Sequence, residues 1–179
     1  GLGPLVTARI LDASRKSGIA PIIHEEVAKE VTMAQIELDD RKVILVRAKG
    51  PGSRVGKPGE AIEKIVEERK GEISRIIMID AAGKLEGETT GDIVEGVGAA
   101  IGDPGPEKYK IEEVAVKYKI PVDAILVKES IEEAVMPMKK EIADAADKVS
   151  ERVRQLIKDR TEPGSTILVA GIGNTVGVG

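Results

Sequence analysis

The chain has 179 residues, 41% of them hydrophobic, and a net charge of −4 at pH 7, which suffices for one buried core and is short for two full domains. Cys, Phe and Trp are absent, and Tyr109 and Tyr118 are the only aromatics; disulfides, thiolate catalysis and cysteine-held zinc are excluded, and almost no ring is left for a base to stack on. Acids and bases are interspersed with no basic block, and no run approaches the ~18 apolar residues of a membrane span, so neither nucleic acid nor a spanning segment is expected.

In chain order, Leu5, Val6, Ile10 and Ala13 mark one face of a helix over residues 4–17, with Pro4 in its first turn and Gly18 as its stop. His24, the only histidine, stands before Glu25 and Glu26 in a polar stretch and reads as a surface residue. Residues 32–38 and 42–48 read as two strands joined by a tight turn at Asp39, Asp40 and Arg41, an antiparallel hairpin.

The loop over residues 50–59 precedes a helix carrying Ala61, Ile62, Ile65 and Val66. It is not a P-loop: Pro51 stands where the motif's first glycine belongs, and Pro58 replaces the magnesium-binding Ser or Thr. Arg54 and Lys57 remain anion candidates, because a helix N-terminus attracts negative charge. Ser53 has no adjacent base in sequence to make it a nucleophile.

Residues 76–79 are apolar throughout, as in a strand covered on both faces, and are followed by Asp80. A carboxylate at the end of such a strand sits at the rim where α/β sheets bind ligands, or else acts as a turn former. Glycine then recurs through residues 81–106 among Glu86, Glu88, Asp92, Glu95 and Asp103; of these, Glu86, Glu88 and Asp92 offer oxygen ligands to a divalent metal or form the solvated face of a loop. A short strand is expected within residues 93–100. Ile111, Val114, Ala115 and Tyr118 form a helix stripe, residues 122–127 a further buried strand, and Ile142, Ala146, Val149, Val153 and Leu156 the longest amphipathic helix. A last strand, residues 166–170, runs into Gly171, Gly173 and Asn174, and the chain begins with Gly1, Gly3 and Pro4.

This alternation predicts a single three-layer α/β/α domain over residues 1–179, with a mostly parallel sheet plus the antiparallel hairpin. The start at Gly in place of Met, and loop-like sequence at both ends, lead us to expect a piece of a longer protein. The cysteine-free, charge-rich composition suits a heat-adapted, cytoplasmic protein or the cytoplasmic part of a membrane-anchored one, with homo-oligomers left open.

At residues 76–82 and 167–174 the chain resembles the hydrogenase maturation proteases and the spore germination proteases. There a strand enters a Gly-Ile-Gly-Asn type loop, passes an acid and reaches Gly-x-Gly-Pro and a helix, and a second acid follows another strand. The resemblance implies a peptidase-like (phosphorylase/hydrolase-like) fold, circularly permuted here, with residues 167–179 and 1–6 rebuilding one loop and Asp80 as the second acid. The first acid is missing: no Asp or Glu lies between Gly171 and Gly179 or ahead of Gly3. Nor does a His match the maturation proteases' metal ligand. Over nearly all of residues 1–179 the chain is also similar to an archaeal family of uncharacterised proteins, domain of unknown function 1512, which implies no activity, substrate or catalytic residue.

The expected function is binding of a small ligand or cation in a glycine-rich crevice formed by Gly3, Asp80, Gly171, Gly173 and Asn174, with Gly1 and Gly179 neighbours in space. One alternative is a peptidase or other hydrolase using Asp80 as base or metal ligand, with Glu86, Glu88 or an acid from outside the chain. The other is a structural or interaction module of a larger, membrane-anchored protein.

Overall fold

Residues 76–79 and 167–170, apolar at every position, lie side by side in the middle of a seven-stranded sheet, covered on both faces. The structure, a computed structural model, describes residues 1–49, 56–99, 106–130 and 140–173. In chain order the elements are α1 (Leu2–Arg15), β1 (Ile22–Ala28), β2 (Val31–Leu38), β3 (Arg41–Ala48), α2 (Pro58–Glu68), β4 (Ile73–Gly83), β5 (Ile93–Val97), α3 (Pro106–Lys117), β6 (Val122–Glu129), α4 (Lys140–Arg160) and β7 (Thr166–Gly171).

The strand order is β1-β2-β3-β7-β4-β6-β5. The four central strands, β3, β7, β4 and β6, are parallel, while β2 and β5 pair antiparallel with β3 and β6, and β1 pairs antiparallel with β2. Period-two alternation sends Val43, Leu45, Ile77, Ile79, Ile167 and Val169 to one face, under α1 and α4. It sends Ile44, Val46, Ile76, Met78, Leu168 and Ala170 to the other, under α2 and α3. The expected three layers and hairpin are therefore present. Among the described residues no helix is long and apolar enough to cross a membrane.

The hairpin turn is as tight as its sequence implies, with Asp39 and Asp40 both left-handed at φ 49° and 65°, the backbone that matches strand twist in a two-residue loop. It also anchors the end of α4. Arg41 donates to the Asp39 and Thr161 carbonyls, both at 2.7 Å, satisfying a carbonyl left over at the helix end, and the Asp39 carboxylate lies 3.6 Å from Arg154 and 3.9 Å from Lys158.

Sequence patterning misses β1 and shortens β4. β1 is the outermost strand, exposed along most of its length with an irregular register between His24 and Ala28, so no alternation marks it. β4 runs past Asp80 to Gly83 because β6 continues beside it, with Asp80 opposite Leu126 and Gly83 opposite Glu129. Pairing extends the strand after its hydrophobicity stops. Much of the glycine-rich stretch after residue 80 is likewise tied to the sheet: β5 spans Ile93–Val97, and the amides of Gly91 and Lys128 donate to the carbonyls of Lys128 and Asp92.

At the opposite, amino edge of the sheet, Asp123 is buried between two arginines, accepting from Arg75 at 2.8 Å and from Arg160 at 2.7 Å. Arg75 is itself largely buried, and among the described residues its Nε has no hydrogen-bond partner. Removing the carboxylate would strand that charge. We expect Asp123→Ala to destabilise the fold by about 3 kcal/mol, the low end for a broken buried pair because Arg160 keeps solvent contact; urea unfolding measures it, and a loss under ~1 kcal/mol would show the triad to be dispensable.

Candidate functional site

Residues 1–3 and 171–173 meet at the carboxyl edge of the sheet. β7 ends at Gly171, and the Ile172 amide extends the ladder by donating to the Ile79 carbonyl at 2.8 Å. α1 begins against this point. A Cβ on Gly3 would stand 2.3 Å from the Ile172 carbonyl oxygen, and one on Gly171 would stand 2.2 Å from the Gly3 carbonyl oxygen; only glycine at both positions lets the backbones touch. Gly173, at φ 126°, lies beside Pro4 and Gly1. Gly1 and Gly3 thus adjoin residues 171–173, while Asn174 and Gly179 lie outside the described residues.

Asp80 stands on the neighbouring strand, one residue past Ile79, which pairs with Gly171. It is 8% exposed, and its Oδ1 accepts from the Ala81 amide at 2.7 Å. By alternation with Ile76 and Met78 it belongs to the α2/α3 face. α1, which starts at the end of β7, covers the other face. The helices associated with β7 and β4 therefore lie on opposite faces, the kind of topological switch point beside which α/β sheets bind ligands.

A second buried acid, Glu129, was not singled out from sequence. It ends β6 at 6% exposure. It alternates with Ile125 and Val127 on the α1/α4 face, near enough to Gly1 to act on its amino group, whose pKa burial lowers and Glu129 raises. The signal was fainter than at Asp80: the apolar run of β6, residues 124–127, meets Lys128 before it reaches the acid.

The other acidic candidates stand apart from this arrangement. The Glu88 carboxylate accepts from the Leu85 amide at 2.6 Å and lies 3.6 Å from Lys128, which closes the turn after β4. Glu86 is exposed on that turn. Among the described residues no group of three His, Cys, Asp or Glu could hold a metal ion, so Asp80, Glu86 and Glu88 are not assembled as a ligand trio. His24 is exposed on the edge strand β1.

The anion candidate at α2 is also changed by the fold. The Glu107 carboxylate from the first turn of α3 accepts from the Glu60 amide at 2.9 Å, which places an internal anion at the N-terminus of α2. Lys57 lies 4.0 Å from Glu60 at the surface. Arg54 and Ser53 lie outside the described residues.

The backbone contact between the chain ends can be tested by adding one methyl group. We expect Gly171→Ala to cost about 3 kcal/mol or more, because its Cβ meets backbone that has nowhere to retreat. Gly18→Ala, at φ 81° with open space around it, should cost only ~1–2 kcal/mol, the conformational penalty alone. Equal losses in thermal unfolding would contradict the packing role of Gly171.

A solved structure of a Mycobacterium tuberculosis protein of unknown function, Rv2714, aligns over 86% of this chain and 71% of its own, at 10% sequence identity and a TM-score of 0.40. No curated protein matches the chain. The chain belongs to the family described as domain of unknown function (DUF1512) C-terminal, whose model matches residues 1–179.

Proposed function

We propose that the crevice at the carboxyl ends of β7 and β4 binds a small polar ligand or a hydrated cation, with Asp80 as the group that contacts it. The observation that carries this reading is the position of Asp80: a buried carboxylate on a central parallel strand, beside the end of β7, where the covering helices part to opposite faces. Gly3 and Gly171 shape the crevice by closing α1 onto β7. Gly173, with Asn174 next in sequence, brings backbone rather than side chains to its rim.

The chemistry of the rim narrows the ligand. Asp80 accepts hydrogen bonds and attracts positive charge. With no trio of protein ligands among the described residues, a bound cation would keep much of its water shell, as magnesium does, and a bound molecule would present hydroxyl or amino donors. A hydrolytic role would need a second acid at the same crevice, and Glu88 is held by Leu85 and Lys128.

Calorimetric titration with magnesium chloride, manganese chloride and adenosine tests the reading. We expect saturable one-site binding of at least one of the three, weakened about tenfold or more by Asp80→Asn, the loss of a charge-assisted contact. Absence of binding by all three, or binding unchanged in Asp80→Asn, would contradict it.

A further inference from the structure

A separate cavity lies between α1 and the antiparallel part of the sheet. Its floor is a set of registered cross-strand neighbours: Ile23 opposite Ala34, Ala34 opposite Leu45, and Thr32 opposite Arg47. Leu11 and Thr7 of α1 form its roof. The cavity measures ≈ 40 Å³, room for about three or four waters.

Arg47 is the polar group that this cavity leaves unused. The Thr7 hydroxyl donates to the Pro4 carbonyl at 2.7 Å, and the Thr32 hydroxyl donates to the His24 carbonyl at 2.8 Å. Among the described residues the Arg47 guanidinium makes no hydrogen bond or ion pair, although it is half-buried and lines the cavity. Burial pushes its pKa below the ordinary arginine value, Asp12 pulls it up and Arg15 pushes it down. Those two residues, on α1, are exposed and lie 3.6 Å from each other. The cavity therefore has one cationic fork of donors at one end and an aliphatic wall of Leu11, Ile23, Ala34 and Leu45.

We infer that this cavity binds a short aliphatic monocarboxylate, with its two oxygens on the Arg47 guanidinium and its alkyl tail among Leu11, Ile23, Ala34 and Leu45. A guanidinium and a carboxylate share a planar, two-point geometry that no hydroxyl in the cavity can offer. The tail supplies apolar contact that inorganic phosphate lacks, and the volume limits the ligand to roughly the size of propionate. Arg47 pairs with Gly171 across β3 and β7, yet it points to the α1 face, whereas Asp80 belongs to the other. The two sites are independent.

Titration of the chain with propionate, followed by methyl NMR, tests the inference. We expect saturable shifts at the methyl groups of Leu11, Ile23, Ala34 and Leu45, with propionamide and inorganic phosphate each at least about tenfold weaker and the Arg47→Gln variant similarly impaired. Absence of saturable propionate shifts, or equal binding of propionamide or of phosphate, would overturn it. So would undiminished binding by folded Arg47→Gln, and should that variant not fold, the propionamide comparison on the unaltered chain decides.

Discussion

One backbone contact, Gly3 against Gly171, joins the first helix to the last strand, and the arrangement of the carboxyl edge depends on it. β7 is the last strand in sequence, yet it lies between β3 and β4 in the centre of the sheet. It can pair on both sides only after the earlier strands are made. α1, the first element, then lies over it with backbone touching backbone. Side chains at Gly3 or Gly171 would push the helix off the strand, with it the α1/α4 layer, and would move the rim beside Asp80.

The two edges of the parallel strands are built differently. At the amino edge, buried charge is paired: Asp123 with Arg75 and Arg160, and Arg41 on the end of α4. This is the chemistry of closure, in which buried charge is acceptable because it is paired. At the carboxyl edge, Asp80 within β4 and Glu129 at the end of β6 are buried acids, and backbone glycines replace side chains. The N-terminus of α2, a ready seat for an external anion, is taken by Glu107 from α3. Arg47, near the end of β3, faces α1, and it is there rather than at α2 that we place anion binding.

Much of this was legible in the sequence wherever burial imposed a period. The hairpin at Asp39 and Asp40, the apolar runs 76–79 of β4 and 167–170 of β7 and the stripe of α4 follow from patterning and turn chemistry alone. β1 was not legible, because an edge strand exposed along most of its length has no reason to alternate. The extension of β4 beyond Asp80 was hidden for a related reason, since its residues are held by pairing with β6 rather than by hydrophobic burial. Asp80 could be found because it directly follows an apolar run, whereas at Glu129, one strand away, Lys128 separates the acid from the run. Arg47 could not be found: in sequence it is a charge near the end of a strand, and only the register of β1, β2 and β3 beneath α1 turns it into the head of a cavity.

Native-state hydrogen exchange at the Ile172 amide tests the central claim most directly, because that bond to the Ile79 carbonyl exists only while β7, β4 and α1 meet. The account predicts that Ile172 exchanges through global unfolding in the unaltered chain. In Gly3→Ala it should exchange much faster, together with the amides of α1, while β6 remains protected. Protection at Ile172 that survives Gly3→Ala unchanged would show that the glycine contact does not hold the carboxyl edge together.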